Sequence, residues 1–249
     1  MSFDQNAGLR ATTSRTAPII RPDPNFVGQV LVRENLGQTD YDALMMQIEK
    51  RFSQNYSTRV SYTLAYSRGN TSGNGIPQSS FQLLTDPRLG LNQGPTDFDR
   101  RHNLVVSGTV LVPKTGGLTV CAVARALSGS PLTVQDTNTD PDQNGILFDP
   151  LPSGEYSGTG SDAYAVTSEG GRNGAHGPGF FQIDLRFGYR LRVGGAKTVD
   201  IFGEIFNLAD RANSDNPAGD RRSTNFLVLT ALRAGAVPRT GQIGLRFAF

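Results

Sequence analysis

Gly241-Gln242-Ile243-Gly244-Leu245-Arg246-Phe247-Ala248-Phe249 alternates without a break. With a side-chain period of two, Ile243, Leu245, Phe247 and Phe249 point one way, and Gln242, Gly244, Arg246 and Ala248 point the other. Such a strand has one apolar face and closes on an aromatic side chain. The same rhythm runs upstream. Phe181, Ile183, Leu185, Phe187, Tyr189 and Leu191 oppose Gln182, Asp184, Arg186, Gly188 and Arg190, and no charge interrupts the apolar row.

Five further runs follow the pattern. Leu44, Met46, Ile48 and Phe52 oppose Ala43, Gln47, Glu49 and Arg51, and Val60, Tyr62, Leu64 and Tyr66 oppose Arg59, Ser61, Thr63 and Ala65. Leu104, Val106, Val110 and Val112 share a face, with Val105 and Leu111 blurring the other. Leu118, Val120, Ala122 and Ala124 oppose Thr119, Cys121 and Arg125. Val199, Ile201 and Ile205 oppose Asp200 and Glu204, with Phe202 and Phe206 as exceptions. A weaker run covers 26–34. No stretch of period 3.6 competes. The pattern predicts about eight strands, each near the roughly 9–11 residues that cross a bilayer at a barrel's tilt.

The connections carry a second signal. Those at 53–57, 113–117 and 192–197 are short, those at about 68–101, 129–178 and 208–238 are long, and the two kinds alternate. Tight turns therefore collect at one end of the strands and long loops at the other, as in outer-membrane barrels. A soluble antiparallel sandwich would also alternate with apolar residues inward. It does not account for loops so much longer than compact domains usually hold.

Composition narrows the classes. Hydrophobic residues are 37%, and no window supplies the 18 or more consecutive apolar residues of a membrane helix, whereas alternation hides the apolar face of a barrel from such a count. Net charge is +2 and the arginines are scattered among acids, unlike the basic patch of a nucleic-acid binder. The lone Cys121 excludes an internal disulfide framework. The start, Met1-Ser2-Phe3-Asp4-Gln5-Asn6, has neither a basic nor an apolar leader segment, so the expectation is a C-terminal part of a longer exported protein. Residues 1–24 read as an irregular leading segment and 25–249 as barrel strands.

The polar faces collect Glu49, Arg59, Arg125, Asp184, Arg186, Arg190, Glu204 and Arg246. In lipid an unpaired charge near the midplane costs about 2–4 kcal/mol, so these side chains are expected to face a wet or protein-filled lumen. Their mixed signs suit cross-strand pairing.

Candidate chemistry is sparse. Asp136 to Gly145 offers oxygen ligands at alternate positions, as a calcium loop begins, but Pro141 stands where an EF-hand requires Gly and Leu147 where it requires Glu. A solvated polar loop is the expectation. Asp97, Asp99 and His102 lie within six residues without an activated nucleophile, which predicts an ion-paired strand start and not a catalytic site. His176 reads as a loop residue, Cys121 as inert, and Gly158-Thr159-Gly160 lacks the βαβ unit of a dinucleotide loop. No cofactor and no enzymatic activity are expected.

Several segments resemble barrel hairpins of TonB-dependent outer-membrane receptors, in particular the Oar-like branch with a carboxypeptidase-regulatory-like domain. They are Tyr41-Asp42-Ala43-Leu44 with Glu49-Lys50-Arg51-Phe52-Ser53, Ser61 to Ser67, Asp97 to His102, Leu127 to Pro131, Gly177 to Arg186, and Glu204-Ile205-Phe206-Asn207-Leu208. The resemblance implies a bacterial outer-membrane barrel of roughly 22 strands. An N-terminal plug and TonB box, absent here, would couple it to the TonB complex, and long loops would capture a nutrient ligand. In that family the last strand's aromatics, here Phe247 and Phe249, are read by the barrel-assembly machinery, and lipid surrounds the wall. The alternatives are a self-contained eight-stranded barrel serving as an adhesin or structural protein, an outer-membrane enzyme, and a soluble binding module.

Overall fold

The computed structural model describes residues 2–28, 30–33, 35, 37–70, 93–194 and 197–249. Seven long strands form one antiparallel meander in chain order: β1 (Thr39–Ser53), β2 (Tyr56–Gly69), β3 (His102–Leu111), β4 (Leu118–Leu127), β5 (Phe180–Gly194), β6 (Lys197–Phe206) and β7 (Thr240–Ala248). The two-residue strand Gly94–Pro95 adds to β2, making the sheet eight-stranded. Among the described residues there is no helix. β1 and β7 are the two outer strands, and the sheet is open between them.

The strand assignment from sequence holds for seven runs and fails for the eighth. Among the described residues of 26–34 only Leu31–Arg33 is a strand, and it pairs with Ser2–Asp4 outside the wall. Three extended residues following Pro24 and Gly28 are too short to cross a bilayer, so they pair locally. Leu9–Arg10 likewise pairs with Ile19–Ile20. The span of 15 residues in β1 and β5 and 14 in β2 exceeds the expected length, and these strands extend beyond what a membrane requires.

Register explains the faces. Ile48, Val60, Val106, Ala124 and Ile183 stand opposite one another across β1 to β5, and Leu185 faces both Ala122 and Ile205. This apolar row continues through Val199 opposite Phe247 and Ile201 opposite Leu245. Its members on the outer strands are exposed: Ile48 is 70% exposed, Leu245 62% and Phe247 69%. Among the described residues no second sheet is stacked on the wall, so the sandwich is not the architecture.

The turns suit their ends. Gln54 and Asn55 both have positive φ, 53° and 69°, the two-residue geometry whose twist matches flanking strands. In the next turn Thr115 Oγ1 donates to the Val112 carbonyl at 2.7 Å, and the Leu118 amide donates back to Thr115 Oγ1 at 3.2 Å. At the third connection Gly194 pairs with Lys197, and residues 195–196, with the predicted Gly194-Gly195 turn, lie outside the described residues. Of the first long loop, residues 71–92 are outside them as well.

The hydrophobic core lies away from the wall. Leu132, Val134, Val166, Ala175 and Leu227 form it, with Leu151, Tyr156, Tyr164 and Phe226 packed around. All of them belong to the connections after β4 and after β6, which fold together into a cap over the end of the sheet opposite the short turns.

Candidate functional site

Two regions carry the polar chemistry. The first is the charged face of the wall. Glu49 stands opposite Arg59, Arg59 opposite Ser107, Ser107 opposite Val123 and Val123 opposite Asp184. Arg186 faces Glu204, and Asp200 faces both Arg190 and Arg246. Arg125 faces Gln182, two residues from Asp184. All eight charged residues singled out from sequence therefore share one face, opposite to the apolar row.

The charges are paired across strands. Arg59 Nη2 lies 3.0 Å from Glu49 Oε2, and Arg186 Nη1 donates to Glu204 Oε1 at 2.7 Å. Arg190 grips Asp200 with Nε and Nη2 at 2.6 and 3.0 Å. Arg125 and Asp184 are 3.9 Å apart on the diagonal. Gln242 donates to Glu204. Arg186, Arg190, Asp200 and Phe202 help line a hollow of about 920 Å³, and Glu49, Arg59, Ser107 and Cys121 help line one of about 430 Å³.

Phe202 and Lys50 are departures from the alternation that the structure explains. Phe202, on the charged face, stands opposite Gly188 on one side and Gly244 on the other. Its ring fills the space that a Cβ at Gly244 would need, and the Arg186 guanidinium lies 4.2 Å from its centroid. An apolar ring is thus accommodated there because its neighbours have no side chains. Lys50 shares the parity of the apolar row but sits at the turn. Its ammonium donates to Ser53 O at 2.8 Å and Tyr56 O at 3.2 Å and lies 3.5 Å from the centroid of the Tyr56 ring.

The second region is the cap, where side chains satisfy an irregular backbone. Asn213 accepts from the Phe181 amide at 2.8 Å and donates to the Phe181 carbonyl at 3.0 Å, standing in for a strand neighbour. Asn207 donates to the Arg211 and Val237 carbonyls at 3.0 and 2.9 Å. Asn173 donates to Pro95 O and Asp97 Oδ1, both at 2.9 Å. The buried Arg172 donates to the carbonyls of Gly69 and Gly94. Asp99 accepts the Ser67 amide at 2.8 Å and pairs with Arg101 at 3.5 Å.

The structure places the remaining candidates as follows. Asp97 and Asp99 are held by Asn173 and by Ser67 and Arg101, while His102 Nδ1 shares a hydrogen bond with the Tyr62 hydroxyl at 2.8 Å on the apolar side of the wall. The strand start is ion-paired, as the sequence suggests, and the three do not form an acid–base relay. His176 pairs with Pro131 in a two-residue strand. Cys121 accepts a contact from Thr109 Oγ1 at 3.5 Å on the charged face. Gly158 abuts the Leu227 backbone, so that glycine serves close packing and not phosphate binding.

The stretch 136–145 is solvated in part, with Asn138, Thr139, Pro141 and Asp142 exposed, but at Asp140 it is also tied to the leading segment. Asp140 is fully buried; its Oδ2 accepts from Arg10 Nε at 2.7 Å and from the Gly145 amide at 3.0 Å, and its own amide donates to Thr13 O at 2.8 Å. Asp149, outside the stretch, joins it because Gln135 bridges Pro150 and the Asp136 amide donates to Asp149 O at 3.3 Å. Carboxylate oxygens of Asp140, Asp142 and Asp149 lie within 4.8 Å of one another. Burial, then the charges of Asp142, Asp140 and Asp136, push the Asp149 carboxyl up to about 7. Sequence spacing gave no sign of Asp149, whose place depends on how the loop closes on itself.

Comparison with protein families agrees with this geometry: residues 2–242 match the model of the outer membrane beta barrel domain. No curated protein and no solved structure matches the chain. A single-layer antiparallel wall with an apolar face, tight turns at one end and long loops at the other is what that family requires in lipid. The chain belongs to the outer membrane beta barrel domain family and resides in the bacterial outer membrane.

Proposed function

We propose that the chain is the C-terminal part of the barrel of a TonB-dependent receptor that takes up a scarce nutrient. The observation that carries this reading is the open wall. Seven strands with two free edges leave backbone donors and acceptors unpaired, which lipid does not tolerate, so further strands must complete the barrel. The segments similar to receptor hairpins point to the same larger wall.

In this reading Glu49, Arg59, Arg125, Asp184, Arg186, Arg190, Glu204 and Arg246 face the lumen and meet a polar plug, whose TonB box engages the TonB complex. The cap lies outside the cell, where it captures the ligand, and the short turns face the periplasm. Phe247 and Phe249 serve as the signal for the assembly machinery; Phe249 is fully exposed at the end of β7. Deleting it is expected to lower the amount of receptor in the membrane without changing ligand affinity in the molecules that insert.

The test of uptake is genetic. Strains lacking the gene, lacking TonB, or lacking both are grown on limiting metal chelates, oligosaccharides or peptides as the source of the scarce nutrient. The reading expects a growth defect on one nutrient class that is the same in all three strains. A defect that deepens when both are lost, or uptake that persists without TonB, would contradict it and favour a passive barrel.

A further inference from the structure

We propose that Asp140, Asp142 and Asp149 bind a divalent cation of the calcium class, which clamps the leading segment to the cap. The inference does not depend on the uptake reading. Three carboxylates converge within 4.8 Å, and Asp136 lies close enough to influence Asp149. Arg10 donates to Asp140 Oδ2 at 2.7 Å. Asp140 Oδ1 and Asp149 Oδ2 are both buried and accept no hydrogen bond from the described residues. Asp140 itself has no solvent exposure.

A buried carboxylate oxygen without a donor is expensive, and several such groups facing one another are more so. A cation resolves the conflict by supplying the missing partner to each at once. The donors are all hard oxygens, which suit calcium or magnesium and not the softer metals. They come from an irregular loop, with Gln143 and Gly145 at positive φ of 56° and 84°, and not from a rigid octahedral frame. Calcium accepts six to eight oxygens in variable geometry, whereas magnesium demands near-ideal octahedral placement. Calcium is therefore the better fit.

The position gives the cation a structural role. Arg10 donates to Ala17 O at 2.9 Å and to Gly145 O at 3.3 Å, and its amide donates to Gln143 O at 2.8 Å. Ser14 bridges Thr139. Residues 9–20 thus lie directly on the loop that carries Asp140 and Asp142. Neutralising that loop's charge holds both pieces together.

The experiment is calorimetric titration of the assembled outer-membrane protein that carries this chain, purified in detergent micelles and freed of metal with a chelator, using calcium chloride alone. The expected result is one saturable site with Kd on the order of 10⁻⁴–10⁻³ M, the range of extracellular calcium modules. Asp149→Asn and Asp142→Asn should each weaken it at least about tenfold, since affinity follows the ligand charge count. Asp162→Asn, which alters a carboxylate outside the cluster, should leave it unchanged. Trypsin cleavage after Arg10 and Arg15 should slow with calcium in the parent and not in Asp149→Asn. Absence of saturable heat in the folded parent, or equal affinity in the parent and both cluster variants, would overturn the proposal.

Discussion

The wall and the cap use opposite means to become stable. In the wall the ladders satisfy the backbone, both faces stay exposed, and each side chain's position follows from whether its number is odd or even within its strand. In the cap the backbone is irregular, and buried side chains such as Asn207, Asn213, Asn173 and Arg172 satisfy it from a distance in sequence. The first arrangement presupposes a surrounding medium on its apolar side. The second makes its own interior around Leu132, Val134, Val166, Ala175 and Leu227. The difference teaches that a membrane wall derives its specificity from the medium, whereas the loops above it must fold as a small water-exposed body.

The sharpest way to separate the two is to damage the cap's core. Leu227 is fully buried and has a positive φ of 49°. Leu227→Ala removes its contacts at a cost of roughly 2–5 kcal/mol. Limited proteolysis should then cut within 129–178 and 208–238 while the heat-resistant migration of the assembled barrel in gels is preserved. Loss of that migration together with the cap would show that the two regions are one cooperative unit.

Within the wall, adjacent residues should differ sharply. Leu185→Arg places a charge on the apolar row at a cost of about 2–4 kcal/mol near the membrane midplane. Arg186→Leu puts an apolar side chain on the charged face, removing the bond to Glu204 Oε1. Liposome-folding yield should fall much further for the first than for the second. Equal yields would remove the distinction between the two faces.

A smaller effect belongs to the cap alone. The Asp149 carboxyl is held up to about 7, chiefly by burial. Because the folded state holds this proton more tightly than the unfolded chain does, stability declines as pH rises from the ordinary carboxylate range and the loss is complete above about 7. In chelator, proteolysis of the cap should therefore be slower at pH 5.5 than at pH 8, with the difference much reduced in Asp149→Asn. An equal pH response in that variant would assign the effect to another group.

How much of this the sequence disclosed follows from the same contrast. The faces of β1 to β7 were legible because alternation gives two choices per residue and lipid rejects the wrong one; a row such as Phe181 to Leu191 admits only one reading. Phe202 is an exception to the alternation in the sequence, and its reason, Gly188 and Gly244 across from it, lies in the register and not in its own strand. The weak run at 26–34 misled because short apolar alternation says nothing about where a strand finds its partner. Asp140 looked like part of a solvated loop, since its burial comes from Arg10 and Thr13, more than a hundred residues earlier. Asp149 was invisible for the same reason.

If the wall is a membrane barrel, its apolar row faces lipid and its charged row a wet interior. The direct measurement is nitroxide scanning of residues 181–191 in a Cys121→Ser background, with the barrel assembled in liposomes. Collision rates are read for oxygen, which concentrates in lipid, and for a water-soluble nickel chelate. The account predicts a period of two, with oxygen favoured at 183, 185 and 187 and nickel favoured at 184, 186 and 188. Uniform accessibility along the strand, or the opposite phase, would contradict it.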